Sequence, residues 1–185
     1  MPLVLCCFAF SRSARAETIT FEEIVLPNGT PVTNQYAAYG VTFTNTVYET
    51  DDLFVDDRGV AEKPEPSTID FLTPAGDVTL NWVAISTDFQ ASAYDGSGNL
   101  LGTFSSATCN SSNGTPDVFP GFYDCKGSVE FVASDIEEIV WHDSVGFVGL
   151  DSIHIPEPSY FIPFLALMAG VCLLQRARRA NSIQA

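Results

Sequence analysis

The chain has 185 residues, 46% of them hydrophobic, and its 23 acidic against 8 basic side chains give a net charge of −15. Such a polyanion is repelled by phosphate backbones, which excludes nucleic acid as a partner, and it disfavours anionic lipid and acidic polymers unless divalent cations bridge them. The length suits one domain with a real core.

At the N-terminus, Leu3–Phe10 is a short apolar stretch, and Ala14-Arg15-Ala16 before Glu17 has the small-x-small form of a signal-peptidase site. Residues 1–16 are therefore expected to be a signal peptide cut after Ala16. No basic residue precedes the apolar run; Arg12 and Arg15 follow it, which suits a weak signal or a start codon assigned too far downstream. A buried first strand is the alternative for this segment.

Residues 17–155 read as strand after strand, without a convincing helix. All acidic residues but Glu157 fall here, against Arg58, Lys63 and Lys126. Thr18–Val25 and Gly40–Tyr48 are rich in β-branched and aromatic residues and largely alternate. Thr68–Leu72, Val78–Ser86, Phe89–Tyr94, Leu100–Ser105, Ser128–Ala133, Ile136–Trp141 and Phe147–Ile155 follow at short spacing. Turn signals separate them, among them Pro27-Asn28-Gly29, Pro74-Ala75-Gly76-Asp77 and Ser144-Val145-Gly146. Asp95-Gly96-Ser97-Gly98-Asn99, between two alternating runs, predicts the clearest hairpin. With no crossover helix to build a parallel sheet, the expected fold is all-β, an antiparallel two-sheet sandwich of about nine strands.

Within this span, Asp51-Asp52-Leu53-Phe54-Val55-Asp56-Asp57-Arg58-Gly59 offers hard oxygen ligands of the kind calcium needs, without EF-hand spacing. A solvated acidic loop is the plainer reading. Cys6 and Cys7 leave with the signal peptide and Cys172 lies in the tail, so the domain keeps Cys109 and Cys125. In an oxidising compartment these are expected to form one disulfide across the polar Asn110–Pro116 stretch, worth about 3 kcal/mol in the chain-entropy model. A metal site is the alternative, with no histidine near in sequence to complete it. His142 and His154 stand near Asp143, Asp151 and Ser152, but no Gly-x-Ser-x-Gly elbow and no zinc spacing accompanies them. They are expected on sheet surfaces or edges.

The tail is tripartite. Pro156-Glu157-Pro158-Ser159 precedes an uncharged apolar run, Tyr160–Leu174, and Gln175-Arg176-Ala177-Arg178-Arg179 closes it. A helix of roughly 15 to 18 apolar residues spans about 22 to 27 Å, slightly short of a hydrocarbon core of about 30 Å. Arg176, Arg178 and Arg179 can snorkel to make up the difference, and they mark the cytoplasmic side, so the domain is expected outside the cytoplasmic membrane. A buried core helix is the alternative, though nothing polar interrupts the run.

In order and position, this tail resembles the PEP-CTERM sorting domain of exported proteins from Gram-negative bacteria that make extracellular polysaccharide. The resemblance implies an exosortase as partner, with Pro156, Glu157 and Pro158 as recognition motif and residues 156–185 as the sorting signal: a membrane helix at about 160–175 and a basic end at 176–179. It implies a precursor in the cytoplasmic membrane with its domain in the periplasm, then delivery to the cell surface or matrix. Pro64-Glu65-Pro66-Ser67 repeats the tripeptide, but Thr68-Ile69-Asp70-Phe71 follows it, so it is read as an ordinary loop.

The order of Phe21-Glu22, Tyr39-Gly40-Val41-Thr42-Phe43, the Asp95–Asn99 hairpin and Gly149-Leu150-Asp151-Ser152-Ile153 is also similar to the jelly-roll sandwiches of PEP-CTERM proteins, distantly like galactose-binding carbohydrate modules. That likeness implies at most one cofactor, a structural calcium at Glu22 or Glu23 with Asp151. Two function classes follow. In the first, a non-enzymatic surface or matrix protein binds extracellular polysaccharide by stacking Trp82, Trp141, Tyr36, Tyr39, Tyr94 or Tyr123 on sugar rings. In the second, a secreted hydrolase uses two buried carboxylates about 5 to 10 Å apart. The first is the expected one.

Overall fold

The computed structural model describes residues 17–156, apart from 51–53, 55–57, 64–65, 118 and 145–146. The signal peptide with Ala16, Glu157, Pro158, the apolar run, the three tail arginines and the carboxylates of the 51–57 loop lie outside the described residues. Among the described residues no helix is long and apolar enough to cross a membrane.

Thirteen strands and one short 3-10 turn, Ala37–Tyr39, make up the described part. The strands are β1 Glu17–Ile19, β2 Thr30–Val32, β3 Val41–Thr44, β4 Thr46–Glu49, β5 Gly59–Glu62, β6 Ser67–Ala75 and β7 Val78–Ile85. After them come β8 Gln90–Tyr94, β9 Leu100–Ser105, β10 Thr115–Pro116, β11 Tyr123–Phe131, β12 Ile136–His142 and β13 Phe147–Ile155. They form two antiparallel sheets. The larger has the order β10-β11-β7-β13-β5-β4-β2, with β1 also on β13, and the smaller β3-β6-β12-β8-β9.

The chain passes repeatedly from one sheet to the other, and local backbone conformation explains two of the crossings. The expected strand Gly40–Tyr48 divides at Asn45, whose φ of 54° turns the chain out of β3 in the smaller sheet and into β4 in the larger. Asn tolerates this left-handed conformation better than most residues. Ser86, with φ 52°, lies between β7 and β8, another change of sheet. The expected strand Thr18–Val25 ends at Ile19 because Phe21 adopts φ 64° and places its ring in the core. Burying that ring contributes roughly 1.5–3 kcal/mol, enough to offset the roughly 1–2 kcal/mol cost of the left-handed conformation.

One core fills the space between the sheets. Ile19, Tyr48, Val60, Leu80, Trp82, Ala84, Val148, Leu150 and Ile153 meet Val41, Phe43, Ile69, Phe89, Ala91, Ala93, Ile139 and Trp141. Trp82 stacks flat on Phe89 at 5.2 Å, and Phe89 reaches Trp141 at 6.4 Å. Trp82, Trp141 and Tyr36 are thus core residues, which corrects their expected role as sugar platforms. Tyr39 packs partly against the same core. Burial raises the phenol pKa values of Tyr36 and Tyr48, whose hydroxyls donate to the carbonyls of Ile24 and Phe21.

A smaller cluster joins Phe54 to Val83, Ile85 and Phe147. Phe54 comes from the acidic loop and lies over Gly59 and Gly149, where an added Cβ would sit 2.2 and 2.7 Å from its ring. The loop read from sequence as a carboxylate cluster therefore has an apolar anchor.

Candidate functional site

Among the described residues, the most exposed pair of phenylalanines stands on the loop between β10 and β11. Phe119-Pro120-Gly121-Phe122 forms a turn in which the Phe122 amide donates to the Phe119 carbonyl, 3.2 Å, with Gly121 at φ 94°. Proline followed by a residue with positive φ is the chemistry of a type II turn, and it leaves the flanking rings pointing away from the core. Phe119 is 66% and Phe122 50% exposed. The Asp117 carboxylate accepts from the Phe119 amide at 3.2 Å, and the Asp117 amide donates to the Phe122 carbonyl at 3.1 Å.

The base of this hairpin is held from three directions. Cys109 and Cys125 are joined in the expected disulfide, Cα–Cα 5.7 Å, which fastens the preceding loop to β11. Tyr123 exchanges hydrogen bonds with Ser86: its amide donates to the Ser86 hydroxyl at 2.9 Å and its carbonyl accepts from the Ser86 amide at 2.8 Å. The Cys109 amide donates to the Thr87 carbonyl at 2.9 Å. Beside β11, Asn110, Ser112 and Asn113 close a turn of their own, in which the Asn110 side chain accepts from the Ser112 amide at 2.8 Å and the Asn113 side chain from the Asn110 amide at 2.8 Å. Gly114 brings this turn close to Tyr123; a Cβ there would lie 3.0 Å from that of Tyr123. The result is a hairpin cross-linked at its base, with the two exposed rings of Phe119 and Phe122 and a neighbouring row of exposed Asn, Ser and Thr side chains. Sequence reading passed over Phe119 and Phe122, although two phenylalanines flanking Pro-Gly inside a polar loop are a visible signal. Tyr94 and Tyr123 are only half-buried.

A second constellation lies where the ends of β5 and β12 meet. The Asp143 amide donates to Glu62 Oε1 at 3.2 Å. Glu62 Oε2 and Asp143 Oδ2 are both sealed from solvent without another hydrogen-bond partner. Burial, then the hydrogen bond and charge of Asp143, push the Glu62 carboxyl up to about 8. Next along the chain, the Ser144 hydroxyl donates to Asp88 at 2.5 Å, and Gln90 donates to the other Asp88 oxygen at 2.6 Å. Burial raises Asp88, but these hydrogen bonds outweigh it and hold the carboxyl below its ordinary range. His142 turns Nδ1 to the Asp143 carbonyl, 2.9 Å.

The third set is the one expected to hold calcium. Glu22 pairs with Arg58, and Glu23 accepts from the amide and hydroxyl of Thr20 at 3.1 and 3.0 Å. Asp151 falls where the β13–β7 register shifts between Leu150 and Ser152. Among the described residues no group of three or more His, Cys, Asp or Glu side chains is placed to hold a metal ion. Ser152 accepts from Asn81 at 2.8 Å, and His154 shares a hydrogen bond with Thr18 at 2.8 Å. A shallow groove of about 230 Å³ runs between β9 and the far end of β11, with Leu101 and Val132 at its rim.

No family model and no curated protein matches the chain. Among solved structures, it is similar to the K2 cleaved adhesin domain of Lys-gingipain, with a TM-score of 0.49 and 8% identity over 76% of this chain and 97% of that one. It is also similar to a family 6 carbohydrate-binding module, with a TM-score of 0.34 and 17% identity over 76% and 93%. A third likeness is to the Agl-KA catalytic domain, with a TM-score of 0.40 and 12% identity over 72% of this chain and 29% of that one.

Proposed function

We propose that this chain is an exported, non-enzymatic surface or matrix protein whose sandwich binds extracellular polysaccharide through the β10–β11 hairpin tip. In this reading an exosortase sorts it through Pro156-Glu157-Pro158, and the apolar tail holds the precursor in the cytoplasmic membrane. The observation that carries the binding role is the exposure of Phe119 and Phe122 on a hairpin fixed by a disulfide and by Ser86. Exposed rings on a rigid support lose little entropy on contact, and their faces suit the C–H side of a pyranose ring. The adjoining Asn, Ser and Thr side chains supply hydrogen bonds to hydroxyls. The net charge favours a neutral glycan over an acidic one.

The carboxylates support the non-enzymatic reading over the hydrolytic one. Among the described residues, Glu62 and Asp143 belong to one buried hydrogen-bonded group with an oxygen of each shut away from solvent, whereas glycoside hydrolysis needs two carboxyls open to the sugar on either side of the scissile bond. A glycan array, probed with and without calcium, tests the proposal. Retention of a neutral polysaccharide by the wild type and at least a tenfold weaker hold by Phe119→Ala/Phe122→Ala is expected, a loss of about 1.4 kcal/mol or more. Equal retention by both proteins, or none by either, would sink it.

A further inference from the structure

We propose that Glu62 and Asp143 form a proton-held clip that ties the end of β5 in the larger sheet to the end of β12 in the smaller one, and that alkaline surroundings release it. The contact bridges 81 positions of sequence through the bond from the Asp143 amide to Glu62 Oε1. Sheet order places its two ends in different layers, so it fastens one sheet to the other at this end of the sandwich.

The chemistry follows from the two oxygens that remain. Glu62 Oε2 and Asp143 Oδ2 are shut away from solvent and have no other donor. Two facing carboxylates can satisfy one another only if one of them carries a proton; without it they are two like charges in a poorly hydrated space. Among the described residues no cation pairs with either group. The charged or titratable side chains around them are Lys63, next to Glu62 in the chain, His142, whose ring contacts the Asp143 carbonyl, and Asp88, reached through Ser144. Thr46, opposite Glu62 on β4, is uncharged and bonds the Thr44 carbonyl. Gln90, opposite His142 on β8, is committed to Asp88.

Burial and Asp143 raise Glu62 to about 8 in the folded chain, above the ordinary value of 4.5. A raised carboxyl binds its proton more tightly when folded, so the stability it confers is complete below the ordinary value and is lost as pH rises to about 8. Thermal melts of the full chain across this window, alongside carbon-13 titration of its side-chain carboxyls, give the test. The expected result is a wild-type Tm that falls by on the order of 5 °C between about pH 6 and about pH 9, and a much flatter profile for Glu62→Gln, which keeps the acceptor and adds a permanent donor. One carboxyl of the pair should titrate near the upper end of that range. Titration of both carboxyls in the ordinary acidic range, or a Glu62→Gln profile as steep as wild type, would overturn the clip. Should Glu62→Gln fail to fold, Asp143→Asn must flatten the profile instead, and the wild-type carboxyl titration decides independently of either variant.

Discussion

Gly127 shows how closely the core is fitted at the scale of one residue. It lies on β11 directly opposite Trp82, and a Cβ there would sit 2.4 Å from Cζ2 of the indole. The ring cannot retreat, because Phe89 is stacked flat against it at 5.2 Å. Gly127→Ala should therefore destabilise the fold by about 1–3 kcal/mol, the usual range for forcing volume into a packed core. Gly102→Ala is the control: its added carbon would meet Phe131 Cδ1 at 3.3 Å, a contact that a small shift relieves. Denaturant titration followed by tryptophan fluorescence reads both, and equal midpoints for the two variants would refute the argument. Asp95 is a residue-scale feature of the opposite kind. Its carboxylate accepts from the side chain and amide of Asn99 and from the amide of Ser97, so those bonds hold its pKa down at the surface turn.

At the scale of elements, the same Asp95 bonds explain why the β8–β9 hairpin was legible in sequence: the turn chemistry is local. The split of Gly40–Tyr48 was not, because it depends on parity. Val41 and Phe43 are buried on one side of Asn45, and Thr46 and Tyr48 on the other, so the inward phase slips at a residue flanked by two threonines that read alike. β5 escaped for a similar reason, being four residues long and beside a loop whose anchor, Phe54, packs on the sheet through glycines. In β13 the register shift lets Leu150 and Ile153, three apart, both enter the core, which strict alternation forbids. The β10–β11 hairpin was half legible. Its disulfide followed from cysteine counting, while the exposure of Phe119 and Phe122 depends on which side of β11 the loop folds. Replacing both Cys109 and Cys125 by serine should remove about 3 kcal/mol of stability, as expected for a loop of 16 residues. Glycan retention should weaken in the same variant even where it remains folded, because the rings lose their fixed support. Circular dichroism melts and the glycan array check the two halves separately, and undiminished retention by folded Cys109→Ser/Cys125→Ser protein would show that the tip needs no staple.

For the whole molecule, the pairing of first and last strands matters most. β1 and β13 are antiparallel with Glu17 opposite Ile155, so the chain enters and leaves the sandwich side by side at one place on the larger sheet. Pro156 follows the last paired residue, Ile155, directly. The internal copy, Pro64-Glu65-Pro66, connects β5 to β6 and is followed by a strand in the middle of the fold. An enzyme that reads the tripeptide only ahead of an apolar segment should therefore act at one copy and ignore the other. Replacing Pro156-Glu157-Pro158 by alanines is expected to leave the precursor in the cytoplasmic membrane, while the same replacement at Pro64-Glu65-Pro66 leaves release unchanged. Fractionation of cells into membrane, periplasmic and released protein distinguishes these outcomes. Equal release of the Pro156-Glu157-Pro158 variant and the wild type would remove the sorting role from the tail, and a glycan-binding domain would then need another route to the surface.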